Sequence, residues 1–335
     1  MITHVPPVHA PVLGRRAAVR GAAEQTTLTL LDLDGPDGPD EAVSAPDRPA
    51  TVLALVRLHR HPLGLVQVPV AAGCPFGTAL RRAAVIELGR AMLEHEFRDR
   101  SLGRAPWLHA PHDPVPPCLR RRAELIGDAP PISVIVGTRE RPDRLARCLD
   151  SLAAVDYPHF EVLVVDEDPE TEATRRLVAR APGRVRYLRQ RRRGRSAAHG
   201  LGAAEATGRL LAFTDDDVEV DRDWLPAIAE SFADRRVGCV AGLVMRGDAV
   251  SRAQPFTPLV IDDGSWRLAS GANLAFDADA LDMRHGFSSA LRLHHARTRE
   301  DLSGALRTIA ADGRVVYQPD ALVWHRPAAV AGVAA

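Results

Sequence analysis

Three consecutive carboxylates follow a short apolar run, and they are the residues of this chain best suited to metal chemistry. The apolar run Leu210–Phe213 leads, after one threonine, into Asp215, Asp216 and Asp217. Because alternate side chains at a strand end point the same way, we expect Asp215 and Asp217 to converge while Asp216 turns away. Their oxygens suit a hard divalent cation with open positions for phosphate oxygens. Taken alone, the triplet also fits an acidic loop or a helix N-cap before Trp224.

The composition excludes several other kinds of chemistry. The 335 residues carry 43 acidic side chains and 43 lysine or arginine side chains, and all of the latter are arginine. Without lysine the chain has no Walker-type P-loop, no Schiff-base lysine and no receiver-domain lysine. Phosphate must therefore be held by arginine, backbone N–H groups or a metal. The balanced charge predicts no binding to nucleic acid or membranes, and the single basic run 189–195 is too short to change that.

Cysteine and hydropathy patterns indicate the compartment. The four cysteines are dispersed and form no CxxC pair, which is typical of a reducing compartment. No apolar run reaches the ~20 residues that span a bilayer, and the first residues do not resemble a signal peptide. We therefore expect a soluble, cytoplasmic protein. His59, His61 and His95 match no standard ligand spacing, so we expect no metal among them.

Alternating apolar runs and helical patterns surround the carboxylates. Predicted strands are 132–136, 160–165, 185–188 and 210–213, and predicted helices are 142–154, 171–180 and 196–206. This alternation predicts an α/β fold with a mostly parallel, Rossmann-like sheet flanked by helices. Ligands bind such sheets at the carboxyl ends of the strands. Thr138, Asp166 and Asp215 all fall at those ends.

Composition divides the chain into four segments. Turn-forming residues dominate 1–48, which we expect to be weakly ordered. Strands at 51–58 and 65–70, joined by a turn at 61–64, precede a helix at 78–100, so 49–104 is a predicted small β-β-α domain. The proline-rich stretch within 105–129 is a predicted linker. Residues 130–328 are the predicted main domain, with later elements at 224–232, 238–244, 271–276, 300–311, 315–317 and 322–325.

Ordered motifs in the main domain resemble the family 2 glycosyltransferases of the GT-A fold. The resemblance covers about 131–326 and combines motifs that are weak singly and strong in this order. These motifs are Ile132–Arg141, Phe160–Asp166, Arg193–Ala198 with Glu205–Gly208, Phe213–Asp217, Ser270–Phe276, Arg299–Leu302 and Pro319–His325.

The resemblance implies an inverting transfer of a sugar from a nucleotide-diphosphate donor to a hydroxyl-bearing acceptor. It implies Mn²⁺ or Mg²⁺ held by Asp215, Asp217 and His325, and a catalytic base at Asp301 with Glu300 beside it. Asn273 and Trp266 are candidates for contact with the acceptor, which we expect to be soluble or protein-bound. The implied donor contacts come from Thr138, Arg139, Glu140, Asp166, Arg193, Arg195, Asp215 and Asp216.

Departures from the family pattern keep alternatives open. His199-Gly200 stands where the family often has Arg-Asn, and Thr298-Arg299 stands where it often has glycines. A catalytically silent module that binds nucleotide sugars or glycans is therefore one alternative. A nucleotidyltransferase is another, although its first loop would be richer in glycine than Gly137–Arg139. A receiver domain resembles residues 164–169 but needs the missing lysine. Alone, the Glu300–Asp301 pair also fits acids favoured at a helix N-terminus.

Overall fold

A three-stranded sheet covered by one long helix begins the chain. The computed structural model describes residues 26–34, 47, 49–102, 115–191, 193–246, 255–261, 270–280 and 313–325, with only the backbone of residues 26, 27, 195 and 196. Strand β2 (Ala50–Leu58) pairs in parallel with β1 (Thr26–Asp32) and antiparallel with β3 (His61–Val70). Helix α1 (Gly77–Leu102) packs on β3. Eight of the nine residues of β2 are buried, as expected for a central strand covered on both faces.

The β2–β3 turn lies earlier than predicted. His59 and Arg60 form it, with φ values of 50° and 67°, the left-handed conformations that a two-residue hairpin turn requires. The predicted turn at 61–64 is therefore wrong, and those residues begin β3. Pro62 is tolerated because β3 is an edge strand among the described residues. Gly64 leaves room for Leu88, since a Cβ at Gly64 would lie 2.6 Å from the Leu88 Cδ2 atom.

Two further elements lie where none was predicted. Strand β1 falls within the segment 1–48 that was expected to be weakly ordered, and helix α2 (Pro117–Gly127) falls within the predicted linker 105–129. Those expectations are wrong for these residues. Pro117 suits the first turn of α2, where the missing N–H costs no helical hydrogen bond. The rest of both segments lies mostly outside the described residues.

The main domain is built on a mixed sheet. In the described residues its order is β10-β12-β9-β11-β7-β4-β5-β6, with β8 paired to β12. Strands β4 to β7 run parallel to one another, and antiparallel pairing enters through β8, β10 and β11. The strands are β4 Ile132–Thr138, β5 Phe160–Glu167, β6 Val185–Gln190, β7 Leu210–Asp215, β8 Val218–Val220, β9 Val237–Arg246, β10 Leu259–Val260, β11 Leu274–Asp277 and β12 Arg314–His325. The helix-flanked α/β architecture expected for the GT-A fold is confirmed.

Helices cover both faces of this sheet. One apolar cluster joins Leu145, Leu149 and Trp224 to one face, and a second joins Ala198 and Ala203 to the other. Their apolar residues recur at helical spacing, which turns one side of each helix towards the strands. The helices are α3 Pro142–Ala153, α4 Ala173–Val178, α5 Arg195–Glu205 and α6 Trp224–Ser231.

The first sheet packs directly on the main domain. Leu55 of β2 belongs to the same buried cluster as Ile135 and Phe213. Two arginines at the end of β2 and in its turn reach across, since Arg57 Nη1 donates to Asp221 Oδ2 at 2.7 Å and Arg60 Nε lies 2.8 Å from Asp223 Oδ2.

Helix α2 joins the two units from another side. The buried Arg122 guanidinium donates to Asp320 at 2.5 Å and to Glu230 at 3.1 Å. A buried arginine contributes only when its charge is compensated, and here two carboxylates of the main domain compensate it.

The remaining differences concern the ends of elements. Strand β12 runs unbroken where two short extended segments were predicted, with a register irregularity between Gln318 and Leu322. The predicted helix 300–311 lies outside the described residues. Among the described residues, no helix combines the length and apolar character needed to cross a bilayer.

Candidate active site

Three neighbouring strands end at one edge of the main sheet. Thr138 at the end of β4 pairs with Asp166 of β5, and Gly137 pairs with Asp215 of β7. Parallel pairing forces these ends to the same side, so the backbone brings the predicted site residues to one edge. Gly137 suits this crowded place because a Cβ there would come within 3.6 Å of the Glu167 carboxylate.

Asp216 is the buried member of the carboxylate triplet. It is 3% exposed, and its Oδ2 accepts a 2.8 Å hydrogen bond from the Thr138 hydroxyl. Its Oδ1 lies 3.3 Å from Arg141 Nη1. Burial raises the pKa of the Asp216 carboxyl, while the bonds from Thr138 and Arg141 oppose that rise. Asp216 therefore ties the end of β7 to the loop after β4 and takes a different direction from Asp217.

Asp217 lies between an arginine and a histidine. Arg144 Nη1 of α3 donates to its Oδ2 at 3.2 Å, and His325 Nε2 lies 3.4 Å from its Oδ1. The other ring nitrogen of His325 is buried and has no hydrogen-bond partner within the described residues. The structure thus brings together two of the three predicted metal ligands, and Asp215 ends β7 two residues earlier.

Asp166 is anchored by one carboxylate oxygen. Its Oδ2 accepts a 3.1 Å hydrogen bond from the Tyr187 hydroxyl, while Oδ1 is buried without a partner in the part of the chain that the structure describes. Burial raises the pKa of the Asp166 carboxyl. A buried acceptor without a donor costs free energy, and a ligand N–H can relieve that cost. Tyr187 was missed from sequence, where only its place in β6 was predicted.

Two arginines line the loop after β5. Arg139 Nη2 donates to Glu170 at 2.9 Å, and Arg193 Nε donates to Asp168 at 2.8 Å. Asp168 has a φ of 46°, which marks a sharp turn after β5. Both guanidinium groups of these predicted donor contacts therefore lie at the site edge, paired with exposed carboxylates. The side chain of Arg195 lies outside the described residues.

Glu140 fixes the same loop from the other side. Its Oε1 accepts hydrogen bonds from the backbone N–H groups of Glu170 and Thr171 at 2.8 and 2.9 Å, and its Oε2 accepts one from the Thr171 hydroxyl. The hydrogen bonds from Thr171 lower the pKa of this carboxyl. Glu140 therefore holds the loop that carries Glu170 beside Arg139.

Asn273 serves the fold rather than an acceptor. Its side chain is 1% exposed, accepts from Trp224 Nε1 at 2.8 Å, and donates to the carbonyls of Leu243 and Ala321. These bonds use most of its amide, so the predicted acceptor contact is wrong for Asn273. Trp266, Glu300 and Asp301 lie outside the described residues.

A family model supports the grouping at the strand ends. The model described as glycosyl transferase family 2 matches residues 133–298. This segment runs from β4 through β11 and includes the three carboxylates after β7. The match begins with the strand that carries Thr138, where the resemblance in sequence also begins.

Curated relatives match the same part of the chain. The O-antigen biosynthesis protein RfbC of Myxococcus xanthus is 34% identical over 155 residues, which is 45% of this chain and 12% of that protein. The glycosyltransferase AglE of Haloferax volcanii is 28% identical over 165 residues, which is 46% of this chain and 54% of that protein. The chain therefore spans about an eighth and about half of the length of these two relatives.

Solved structures also align with this chain. A mannosyltransferase from Pyrobaculum calidifontis, in complex with GDP-Man and Mn²⁺, has 22% identity and a TM-score of 0.48, over 71% of this chain and 65% of that one. Residues 1–349 of TarS from S. aureus, in complex with UDP, have 19% identity and a TM-score of 0.49, over 58% of this chain and 60% of that one.

Proposed function

Because residues 133–298 belong to glycosyl transferase family 2, we propose that this protein transfers a sugar from a nucleotide diphosphate to an acceptor hydroxyl, with inversion at the anomeric carbon. The observation that carries the proposal is the meeting of Thr138, Asp166 and Asp215 at one sheet edge, next to Asp217 and His325.

The nucleotide is proposed to lie over the ends of β4 and β5. Asp166 Oδ1, which is buried without a partner in the described part of the chain, is suited to accept an N–H of the base. Arg139 and Arg193 are held at this edge by Glu170 and Asp168, and they are suited to receive phosphate oxygens in their place. Exchanging an exposed ion pair for phosphate costs little because such pairs are weak.

The carboxylates after β7 fit a divalent cation of the hard or borderline kind. Asp215 and Asp217 offer oxygen ligands and His325 offers an imidazole, a mixed set that suits Mn²⁺ better than Mg²⁺. When bound, the cation neutralises negative charge that develops on the departing diphosphate. Arg144, already paired with Asp217, adds a positive charge to the same place, and Asp216 keeps the loop in position through Thr138.

The acceptor must lose a proton as its oxygen attacks. The oxygen forms a bond to the anomeric carbon, the bond from that carbon to the diphosphate breaks, and the hydroxyl proton passes to a carboxylate. We assign that carboxylate to Asp301, with Glu300 beside it, from their position in the family pattern. One displacement without a covalent intermediate gives inversion.

Nucleotide binding and transfer test the proposal separately. Wild type is melted with UDP, GDP and dTDP, each with and without MnCl₂, and then assayed for transfer and donor hydrolysis beside Asp301→Asn. We expect one nucleotide to raise the melting temperature more with MnCl₂, and Asp301→Asn to keep that shift while losing transfer. A wild type that binds nucleotide but is inert with every nucleotide sugar would favour the silent binding module. An unmoved melting temperature with all three nucleotides would overturn the proposal.

A further inference from the structure

Four side chains gather under the first sheet, away from the strand ends described above. They are His59 of the β2–β3 turn, His95 and Asp99 of α1, and Cys118 of α2, and one potential ligand atom from each lies within 4.8 Å of all the others. His95, Asp99 and Cys118 are no more than 9% exposed. Helical spacing puts His95 and Asp99 on one face of α1 because they are four residues apart.

The separations between these atoms are those of a coordination shell. His59 Nδ1 lies 3.2 Å from His95 Nε2 and 3.1 Å from Asp99 Oδ2. Cys118 Sγ lies 3.7 Å from His59 Nδ1 and 3.9 Å from His95 Nε2. A tetrahedral zinc ion with its usual bond lengths separates two nitrogens by about 3.4 Å and a nitrogen from a sulfur by about 3.6 Å. The observed edges lie close to these values.

Hydrogen bonding accounts for only part of this convergence. The single ring nitrogen His59 Nδ1 faces His95, Asp99 and Cys118 at once, whereas a ring N–H serves one acceptor well. Two ring nitrogens that face each other also need one of them to carry no proton. A cation satisfies all four lone pairs together.

Neighbouring contacts position the four side chains from outside. The Cys118 backbone N–H donates to Asp99 Oδ1 at 2.5 Å, which leaves Oδ2 directed at His59. The His59 backbone N–H donates to Asp34, and the left-handed backbone of the turn aims its ring inward. Such outer contacts orient ligands in metal sites. His61 packs on the His95 ring but pairs with Asp320 through Nδ1, so it supports the cluster from the side.

We propose that His59, His95, Asp99 and Cys118 form a structural Zn²⁺ site. Two nitrogens, one thiolate and one carboxylate in a tetrahedron suit zinc, and the thiolate disfavours Mg²⁺ and Mn²⁺. Four protein ligands close the shell, so the ion ties elements together instead of activating water. It joins the β2–β3 turn, α1 and α2, and α2 carries Arg122 into the main domain.

Metal content and cobalt spectra test this site without any activity assay. The full chain, produced with ZnCl₂ and dialysed against metal-free buffer, is expected to retain about one zinc per chain. After chelation, CoCl₂ is expected to restore an ion with a thiolate-to-cobalt absorption band. Cys118→Ser and His95→Ala are expected to lose most of the zinc, and Cys118→Ser to lose the band as well.

Matched controls separate ligand loss from general damage. Cys74→Ser changes an exposed cysteine outside the cluster, and His159→Gln changes an exposed histidine. Both are expected to keep zinc and the cobalt band. A wild type that retains no zinc and gives no thiolate-to-cobalt band would overturn the proposal, even if the ligand variants fail to fold. Retention of zinc by Cys118→Ser and His95→Ala would overturn it too.

Discussion

His325 Nε2 lies 3.4 Å from Asp217 Oδ1, and the contact arises from the pairing of β8 with β12. His325 pairs with Val218, the residue after Asp217, so the end of the last strand is brought to the triplet after β7. A carboxylate and an imidazole thus meet at the proposed cation site although they lie far apart in the chain.

Removing His325 or Asp217 should weaken the response to manganese. We expect His325→Ala and Asp217→Asn each to raise the MnCl₂ concentration for half-maximal nucleotide stabilisation by about tenfold or more, because each removes a ligand. Thermal melting at fixed nucleotide concentration measures this directly. Asp156→Asn changes an exposed carboxylate paired with Arg222 and serves as the control. An unchanged manganese dependence in both ligand variants would remove the cation from this place.

The hydroxyl of Thr138 should matter more than its methyl group. Thr138→Val removes the 2.8 Å hydrogen bond to the buried Asp216 carboxylate, and we expect it to lower the free energy of unfolding by about 1–3 kcal/mol. Thr138→Ser keeps the hydroxyl and should recover most of that loss. Urea unfolding of the three proteins measures the difference. Equal losses in Val and Ser variants would point to packing of the methyl group.

Alanine should have opposite effects at two glycines. A Cβ at Gly242 would lie 2.2 Å from the Ala321 carbonyl oxygen and 2.3 Å from Asn273 Nδ2. Because backbone must move to make room, we expect Gly242→Ala to lower the free energy of unfolding by about 3 kcal/mol. Gly89 lies inside α1 with open space around it, and Gly89→Ala should raise stability by about 0.5–1 kcal/mol. Chemical denaturation of both variants gives the comparison, and a harmless Gly242→Ala would contradict the close packing.

Glu161 should make stability depend on acidic pH. Burial would raise the pKa of its carboxyl, but hydrogen bonds from Thr207 and Ser133 outweigh burial and lower that pKa to about 2. An unfolded glutamate titrates near pH ~4.3. The stabilisation is therefore complete above that value and is lost as pH falls towards about 2.

Glu161→Gln tests this dependence. At pH 7 the variant should be less stable than wild type by about 1–3 kcal/mol, and the gap should narrow as pH falls from ~5 to ~3. Urea midpoints across that range measure the gap. Glu172→Gln, at a half-exposed carboxylate on the surface, should leave the pH dependence unchanged. A gap for Glu161→Gln that stays constant with pH would contradict the assignment.

Sequence patterns predicted the parallel part of the main sheet because β4 to β7 are continuous apolar runs, each ending in a polar residue. Strand polarity alone then put Thr138, Asp166 and Asp215 on one edge. The pattern could not reveal β1, a short run isolated among turn-forming residues whose partner β2 lies beyond an 18-residue gap of that kind. It also missed α2, which opens after consecutive prolines.

Side-chain partners were harder to predict than strand ends. Nothing local indicates that Asp216 is buried by Thr138 and Arg141, or that Asn273 is used by three groups from three other elements. The His95 and Asp99 pair at helical spacing was a usable signal for a metal, but His59 and Cys118 join it only through the tertiary fold.

The packing of the first sheet on the main domain has a practical consequence for anyone who shortens or swaps this protein. A fragment that starts near Pro130 would expose the apolar surface that Leu55 and its neighbours cover, and it would leave Asp221 and Asp320 without Arg57 and Arg122. Such a fragment is expected to aggregate rather than fold, because both losses fall on groups evolved to be shielded from water. Chimeras that exchange catalytic halves between relatives should therefore carry the amino-terminal part along with its own partner.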